Sequence, residues 1–490
     1  MQVIQILLFI ILFIAIALAM FFRKIPALIA LPLMAFAIPL ICGISLNDTL
    51  HYVIGQGSLK LHTAYTVAIF GSMLGILMQK TGVAENFIKI GAELAGDNPW
   101  SIAVLMLTLI AMLFSTLGGL GAIIMVATII LPILSSIGIG QMTCIGIFLF
   151  GLSVGGTLNA GNWALYMDVT KLAPDVIRRF ALIMFALTYA TALIYITVQI
   201  YRDGHDLNFR KIARTLGVIG SIALVVVAIY SRLNPDLQLG VTNSLRTIGR
   251  LLRGLIGAGM IALFAISLTR VFRYQKLSSE IYWTAYFTPL IPLFLILLFD
   301  MHFIAAFISG LIYGFVATFR KGSLNLLIRS VFEGGAVVMP AVSLMLGIGM
   351  LLNAIIGPGA EWEMAHPGGW PVLTLLQPFM LKIIPTTPWG YVLLFGLAAP
   401  LALYRGPLNV WGMGYGLAAV LLASGMQGGA IMGLLLAVGQ VQGISDPTNT
   451  HNVWLANEMQ QDVQKVLWNT IPYTWSIAVV GLIFSALIFL

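Results

Sequence analysis

The segment Gly443-Ile444-Ser445-Asp446-Pro447-Thr448-Asn449-Thr450-His451-Asn452 holds the densest set of reactive groups in the chain. It follows an apolar run and combines a carboxylate, an imidazole, hydroxyls and carboxamides. Hard oxygens of this kind suit a hard cation, so Asp446, Thr448, Asn449 and Thr450 are candidates for holding sodium, or for carrying a proton at Asp446. His451 titrates near neutral pH when unperturbed, although a lone histidine is more often a satisfied hydrogen-bond donor. A second glycine-rich break, Gly155-Gly156-Thr157-Leu158-Asn159-Ala160-Gly161-Asn162, also follows an apolar run. Arg405 stands in the middle of a third apolar stretch, beside Gly406-Pro407. Its planar fork suits a carboxylate. The competing readings are a salt bridge to Asp446 and an interfacial, snorkelling arginine.

The elements that must position these groups follow from composition. Of 490 residues, 60% are hydrophobic and 9% are charged, against about 25% charged in soluble domains. This excludes an ordinary soluble enzyme and implies an all-α polytopic membrane protein, at ~20 residues per crossing. In that setting Arg405 needs a partner, because a guanidinium deep in hydrocarbon costs at least ~2.5–3.5 kcal/mol. The net charge of +8 comes without a basic tract, so no nucleic acid is expected as a partner. Cys42 and Cys144 lie far apart in apolar sequence and offer neither a disulfide framework nor metal-ligand spacing. No cofactor is expected beyond sodium as a coupling ion.

Twelve crossings are expected, near 3–22, 25–45, 62–79, 138–176, 178–201, 214–231, 248–270, 281–299, 302–319, 332–355, 427–462 and 466–490. Two further apolar stretches, 99–137 and 388–425, are broken at Ser115-Thr116-Leu117-Gly118-Gly119 and at Tyr404-Arg405-Gly406-Pro407-Leu408-Asn409. They read as re-entrant hairpins. Internal repeats support this. Met73-Leu74-Gly75-Ile76 recurs as Met345-Leu346-Gly347-Ile348, Pro99-Trp100 as Pro388-Trp389, and Asn159-Ala160-Gly161-Asn162 as Asn449-Thr450-His451-Asn452. The first repeat then spans 1–201, with scaffold helices in 1–79 and a hairpin and broken helix in 99–201. Two linking helices occupy 202–280. The second repeat spans 281–490, with scaffold helices in 281–355 and a hairpin and broken helix in 388–490. Seven crossings between equivalents invert the second repeat, the plan of many secondary transporters.

The positive-inside rule orients the chain with both termini outside. The inner face then receives fifteen of the 25 Lys and Arg residues, among them Arg23, Lys24, Lys80, Arg320 and Lys465; Lys171, Arg178 and Arg179 run against the rule. Arg23-Lys24 follow the first apolar run rather than precede it, so that run reads as a retained helix and not a signal peptide. The short loops suggest a bacterial inner membrane. Asp168, Asp300 and Glu333 fall near helix ends and read as interfacial.

Non-helical backbone at membrane depth is tolerated only where it lines a cavity or is buried in protein. Two inverted breaks would therefore meet near the midplane, where half-helix N-termini favour anions and freed carbonyls favour cations. Candidate substrate contacts are Arg405, Asn159, Asn162, Asn409, Asn449, Asn452, Thr116, Gly118, Gly119 and His451. Candidate coupling-ion ligands are Asp446, Thr448, Asn449, Thr450, Thr157 and Asn159. One pattern points elsewhere: Gly151-Leu152-Ser153-Val154-Gly155 fits the nucleophile-elbow motif, with Asp446 and His451 available as partners. That motif needs a preceding strand, whereas this one sits in an apolar helix, where small residues usually serve packing. No Walker loop or H-E-x-x-H motif is present.

Leu74-Gly75-Ile76-Leu77-Met78-Gln79-Lys80-Thr81-Gly82, the twin hairpins and the asparagine-containing breaks together resemble the ion transporter superfamily of citrate, dicarboxylate and gluconate carriers. In its dicarboxylate/sodium branch, Ser-Asn-Thr triplets bind substrate and sodium. Thr448-Asn449-Thr450 is similar to them, while Leu158-Asn159-Ala160, Ser115-Thr116 and Pro407-Leu408-Asn409 depart from that pattern. The resemblance implies an elevator carrier, commonly a homodimer. The sequence reading is therefore a non-enzymatic secondary active transporter of a small organic anion, a carboxylate, by symport with sodium or protons. A cation/proton antiporter is the alternative, and an intramembrane hydrolase a remote one.

Overall fold

The computed structural model describes residues 2–22, 24–94, 96, 98–205, 235–273, 281–366, 368–380, 385, 387–410 and 414–490. The expected crossing at 214–231 lies outside the described residues. Every regular element described is helical, as hydrocarbon requires of backbone that must satisfy its hydrogen bonds within one segment.

The first half contains α1 (Gln2–Phe21), α2 (Ala27–Ile41), α3 (His62–Thr81), α4 (Val83–Leu94), α5 (Pro99–Phe114), α6 (Leu120–Ser136), α7 (Gln141–Thr157), α8 (Ala160–Thr170) and α9 (Pro174–Arg202). A long helix, α10 (Pro235–Arg273), follows. The second half contains α11 (Leu290–Phe299), α12 (Phe303–Ala317), α13 (Ser323–Ile356), α14 (Pro371–Met380), α15 (Pro388–Ala398), α16 (Tyr415–Ala423), α17 (Gly428–Ser445), α18 (Thr450–Glu458) and α19 (Val463–Phe489). Six helical runs among the described residues are long and apolar enough to cross a bilayer, and the pair α7–α8, bent by 51°, makes a seventh. The chain is an integral membrane protein. Four further helices expected to cross, α1, α2, α11 and α12, fall short on apolar length.

The sequence punctuation that suggested a repeat recurs in the geometry. Both hairpins open on a capped proline: the Asn98 side chain accepts from the N–H groups of Trp100 and Ser101, and Thr387 accepts from Gly390. Proline at the first helical position costs nothing there, because its missing N–H would have had no intrahelical partner. Both broken helices restart after an asparagine cap, Asn159 and Asn449. The order of hairpin, broken helix and long final helix thus occurs twice. Segments read from sequence as connections also hold helices: α4 has three buried apolar residues, Val83, Ala84 and Ile88, and 356–387 contains Ala360–Ala365 and α14.

The longest second-half helix, α13, packs across α2 and α3. A Cβ at Gly334 would lie 2.6 Å from the Met73 Cα, and one at Gly347 would meet Leu31 and Pro32 at 3.0–3.3 Å. The helices approach at these points because no side chain separates them, the usual membrane substitute for a hydrophobic driving force. At the centre lies α17, within whose run Gly428–Glu458 83% of an 18-residue apolar stretch is buried; at the periphery lies α10, where the corresponding share is 6%.

Candidate functional site

A cavity of about 320 Å³ opens between the two halves. The first hairpin tip supplies Thr116, Gly118 and Gly119; the first break supplies Gly156, Asn159 and Asn162; the second supplies Gln442, Gly443, Asn449 and His451. The remaining walls come from Val67 and Gly71 of α3, Phe307 of α12, and Val337 and Met345 of α13. No Asp, Glu, Lys or Arg lines it among the described residues. Its polarity comes from amides, hydroxyls and helix ends. Gly119, which caps α6 at φ +86°, and Asn449, which caps α18, give no side-chain cap bond, so the first N–H groups of both helices lack that partner. Such ends carry partial positive charge and are natural anion sites. Asn159, by contrast, caps α8 by accepting from Gly161 N at 2.9 Å.

The asparagines hold the breaks open in matching ways. Asn162 Nδ2 donates to the Gly156 carbonyl at 2.8 Å, and Asn452 Nδ2 donates to the Asp446 carbonyl at 2.9 Å, each acceptor lying 6 residues before its asparagine. Each amide supplies a donor that an interrupted helix ladder would otherwise have provided. Asn159 Nδ2 reaches across to the first hairpin tip, donating to the Phe114 and Leu117 carbonyls at 3.0 and 3.2 Å. The second tip is held by a carboxylate instead. Asp446, fully buried, accepts at Oδ1 from Tyr404 N, Thr448 N and Thr448 Oγ1, and at Oδ2 from Asn409 Nδ2. Asn409 Nδ2 also donates to the Ala402 carbonyl.

Of the expected substrate contacts, Thr116, Gly118, Gly119, Asn159, Asn162, Asn449 and His451 come together in the cavity. Asn409 and Asn452 sit behind it in the Asp446 cluster. Arg405 lies elsewhere, in a second cleft with Met20, Pro26, Thr448, Thr450, Trp454 and Asn457. It is half-buried, and both it and Tyr404 take left-handed backbone, φ 58° and 54°. No ion pair joins Arg405 to Asp446. Among the expected cation ligands, Asp446 and Thr448 are bonded to each other and Asn449 donates to the Gln442 carbonyl. Thr450 lines the Arg405 cleft, and Thr157 is buried with its hydroxyl on the Val154 carbonyl. His451 Nε2 is 3.1 Å from the Gly443 carbonyl, an acceptor, so this nitrogen carries the proton.

No protein-family model matches the chain, and no curated protein matches it. Among solved structures, the YdaH transporter of Alcanivorax borkumensis, described as having an unusual topology, matches 90% of this chain and 88% of its own. The TM-score is 0.52 and the identity 13%. The chain has the fold of a transporter. MtrF of Neisseria gonorrhoeae, described as illuminating a class of antimetabolite efflux pumps, matches 91% of this chain and 86% of its own, at TM-score 0.46 and 13% identity.

Sequence reading passed over Gln440, Gln442 and Tyr166, and weighed Ser153 only as a nucleophile; all four line the cavity. The signal was present: two glutamines separated by a single residue inside the apolar run of α17. Gln442 Oε1 accepts from Val410 N at 2.6 Å, tying the second hairpin to α17. Ser153 Oγ donates to Gln440 Oε1 at 2.6 Å. No hydrogen bond links Ser153 to His451 or His451 to Asp446 among the described residues. The nucleophile-elbow match is thus a helix in which Ser153 has an amide partner.

Proposed function

We propose that this protein is a secondary active transporter that binds a small organic anion, a carboxylate, in the central cavity and couples its movement to sodium or protons. The observation that carries the reading is the pair of helix N-termini without side-chain caps, α6 at Gly119 and α18 at Asn449, facing one cavity. A carboxylate between them would accept backbone N–H bonds, with Thr116, Asn159, Asn162, Asn449 and His451 around it. We assign Arg405, in its neighbouring cleft, to the path of the anion rather than to the central site. The likeness to a transporter fold agrees with a carrier and leaves the substrate open; membership of the ion transporter superfamily and a homodimeric assembly are part of the same proposal.

Two features support Asp446 as the coupling centre. It is a buried carboxylate without an ion-pair partner among the described residues. Beside it, the buried Asn452 Oδ1 has no hydrogen-bond partner among the described residues. A buried acceptor left unpaired costs about 1–3 kcal/mol, and a cation near Asp446 would remove that cost. This geometry equally suits cation/proton antiport, which remains the second reading. Uptake of labelled mono- and dicarboxylates into proteoliposomes tests both. Symport predicts gradient-dependent accumulation of at least one acid above its equilibrium level; sodium–proton exchange with no acid uptake would establish the antiporter.

The proposed architecture is twelve crossings in two inverted repeats, with the hairpin and broken-helix elements moving as an elevator against α1–α3 and α11–α13. Helix α16, with 9 residues, is about 14 Å long, far short of a ~30 Å hydrocarbon core, which supports a re-entrant hairpin. Cross-chain ties also support inversion, because each joins residues assigned to one face. Lys80 pairs with Glu333 at 2.8 Å and Gln461 with Gln141 on the inner side; Arg178 pairs with Asp300 and Gln56 with Glu361 on the outer side. Single cysteines placed in 83–97 and in 356–387 should react with an impermeant maleimide from opposite faces. Labelling of both from one face would replace inverted repeats by parallel ones.

A further inference from the structure

Arg246, Arg250 and Arg253 are all exposed and fall at i, i+4 and i+7 of α10, so they share one face of that helix. They lie in and just inside the first turns of an apolar run, Arg246–Phe272, in which 6% of an 18-residue stretch is buried. Around them the apolar side chains Leu251, Leu252 and Leu255 are 55–70% exposed. With Asn243, Gly249, Leu252 and Ile256 they form a cleft floored by Leu298 of α11. No ion pair reaches any of the three among the described residues. The sequence between Asp236 and Glu280 contains no acidic residue. Asp300, which ends the adjoining helix α11, is engaged by Arg178. Among the described residues Arg250 donates to the hydroxyl of Thr247, at 3.3 Å, and to no other group.

Three guanidiniums at the edge of a hydrocarbon-facing helix need counter-charge, and the protein described here supplies none. An anionic phospholipid supplies it at the required depth, with acyl chains that fit beside the exposed leucines. Long basic side chains reach toward the headgroup layer while their stems stay on apolar surface, and basic clefts between membrane helices are suited to such headgroups. We infer that the N-terminal part of the α10 span, with Arg246, Arg250 and Arg253, is a binding site for the phosphodiester headgroup of an anionic phospholipid. The guanidinium fork meets phosphate oxygens in two-bonded geometry, and Leu252, Ile256 and Leu298 receive the glycerol backbone and the start of the chains.

Native mass spectrometry of the full chain in detergent, titrated with phosphatidylglycerol or phosphatidylcholine, tests this directly. The parent protein should bind phosphatidylglycerol at least about tenfold more tightly. R246Q/R250Q/R253Q should bind the two lipids equally, whereas R320Q/K321Q, altered at another helix end, should keep the preference. R246K/R250K/R253K retains the charge and should lose only part of the preference; with single R250Q it decides the matter if the triple glutamine variant fails to fold. An undiminished phosphatidylglycerol preference in the glutamine variants would overturn the site. Glycerol phosphate competing as well as the intact lipid would overturn the lipid assignment in favour of a small phosphate anion. A change of oligomeric mass with unchanged lipid occupancy would make this face a protein contact instead.

Discussion

Asp446→Asn should abolish gradient-driven accumulation while leaving exchange of substrate across the membrane measurable. The carboxylate is fully buried and has no cationic partner among the described residues. A cation about 4 Å from it gains about 4 kcal/mol at an effective dielectric constant near 20, on the order of a thousandfold in affinity. Asparagine removes that gain. It also places an NH2 group opposite Asn409 Nδ2, which now donates to Oδ2 at 3.1 Å. Two donors then face each other, at a cost of about 1–3 kcal/mol. The second tip should loosen, so exchange should be slower as well as uncoupled. Counterflow without a gradient, measured beside sodium- and proton-driven uptake, separates the two effects. Accumulation equal to the parent under either gradient would leave Asp446 with only its structural role as a latch.

A contrasting pair of adjacent glycines gives the second large effect. A Cβ at Gly155 would sit 2.5 Å from the Ala111 carbonyl oxygen and 3.0 Å from Phe114 C and Cβ. The obstacle is the backbone of the first hairpin arm, which cannot rotate away as a side chain would. Overpacking of this kind costs about 1–3 kcal/mol, occasionally more, so Gly155→Ala should lower thermal stability clearly and Gly155→Val should prevent correct assembly. At Gly156 the nearest atom is Asn162 Nδ2 at 3.8 Å, and the residue lines the cavity. Gly156→Ala should fold like the parent yet change substrate affinity. Fluorescence-detected thermal stability in detergent, together with substrate binding, distinguishes them. If the two alanine variants behaved alike, the hairpin would not be seated on α7 as described.

The parts of this fold legible in sequence are those encoded by local punctuation. Prolines 99 and 388 mark hairpin starts because proline suits a first helical turn, and Asn159 marks a restart because asparagine serves as an N-cap; Asn449 stands at the other restart with its amide turned to the Gln442 carbonyl. Hydrophobic runs gave most crossings for the same local reason. The connection at Val83–Leu94 was harder, since a short amphipathic helix between crossings does not interrupt a hydrophobicity pattern. Seven expected cavity residues do meet there, because a break in a membrane helix must face something polar. The placement of Arg405 was not legible. Which cleft a side chain enters depends on the left-handed turn at Tyr404 and Arg405 and on helices nearly 400 residues earlier, such as the α1–α2 corner. Gln440 and Gln442 carried a readable signal, but their partners, Ser153 and Val410, are set by packing between distant segments.

The two hairpin tips are secured by different chemistry, and this makes them respond to different things. The first is held by a neutral amide, Asn159, on the Phe114 and Leu117 carbonyls; an ion in the neighbourhood has little purchase on that bond. The second is held by the negative charge of Asp446 on Tyr404 N and Asn409. A cation that binds this carboxylate must compete with those donors or draw them into a tighter arrangement. By thermodynamic reciprocity, whatever factor the cation applies to closure of the second tip, that tip applies to the affinity of the cation. In the proposed carrier the two tips are then unlike: a cation would shift closure of the second and leave the first to the substrate alone.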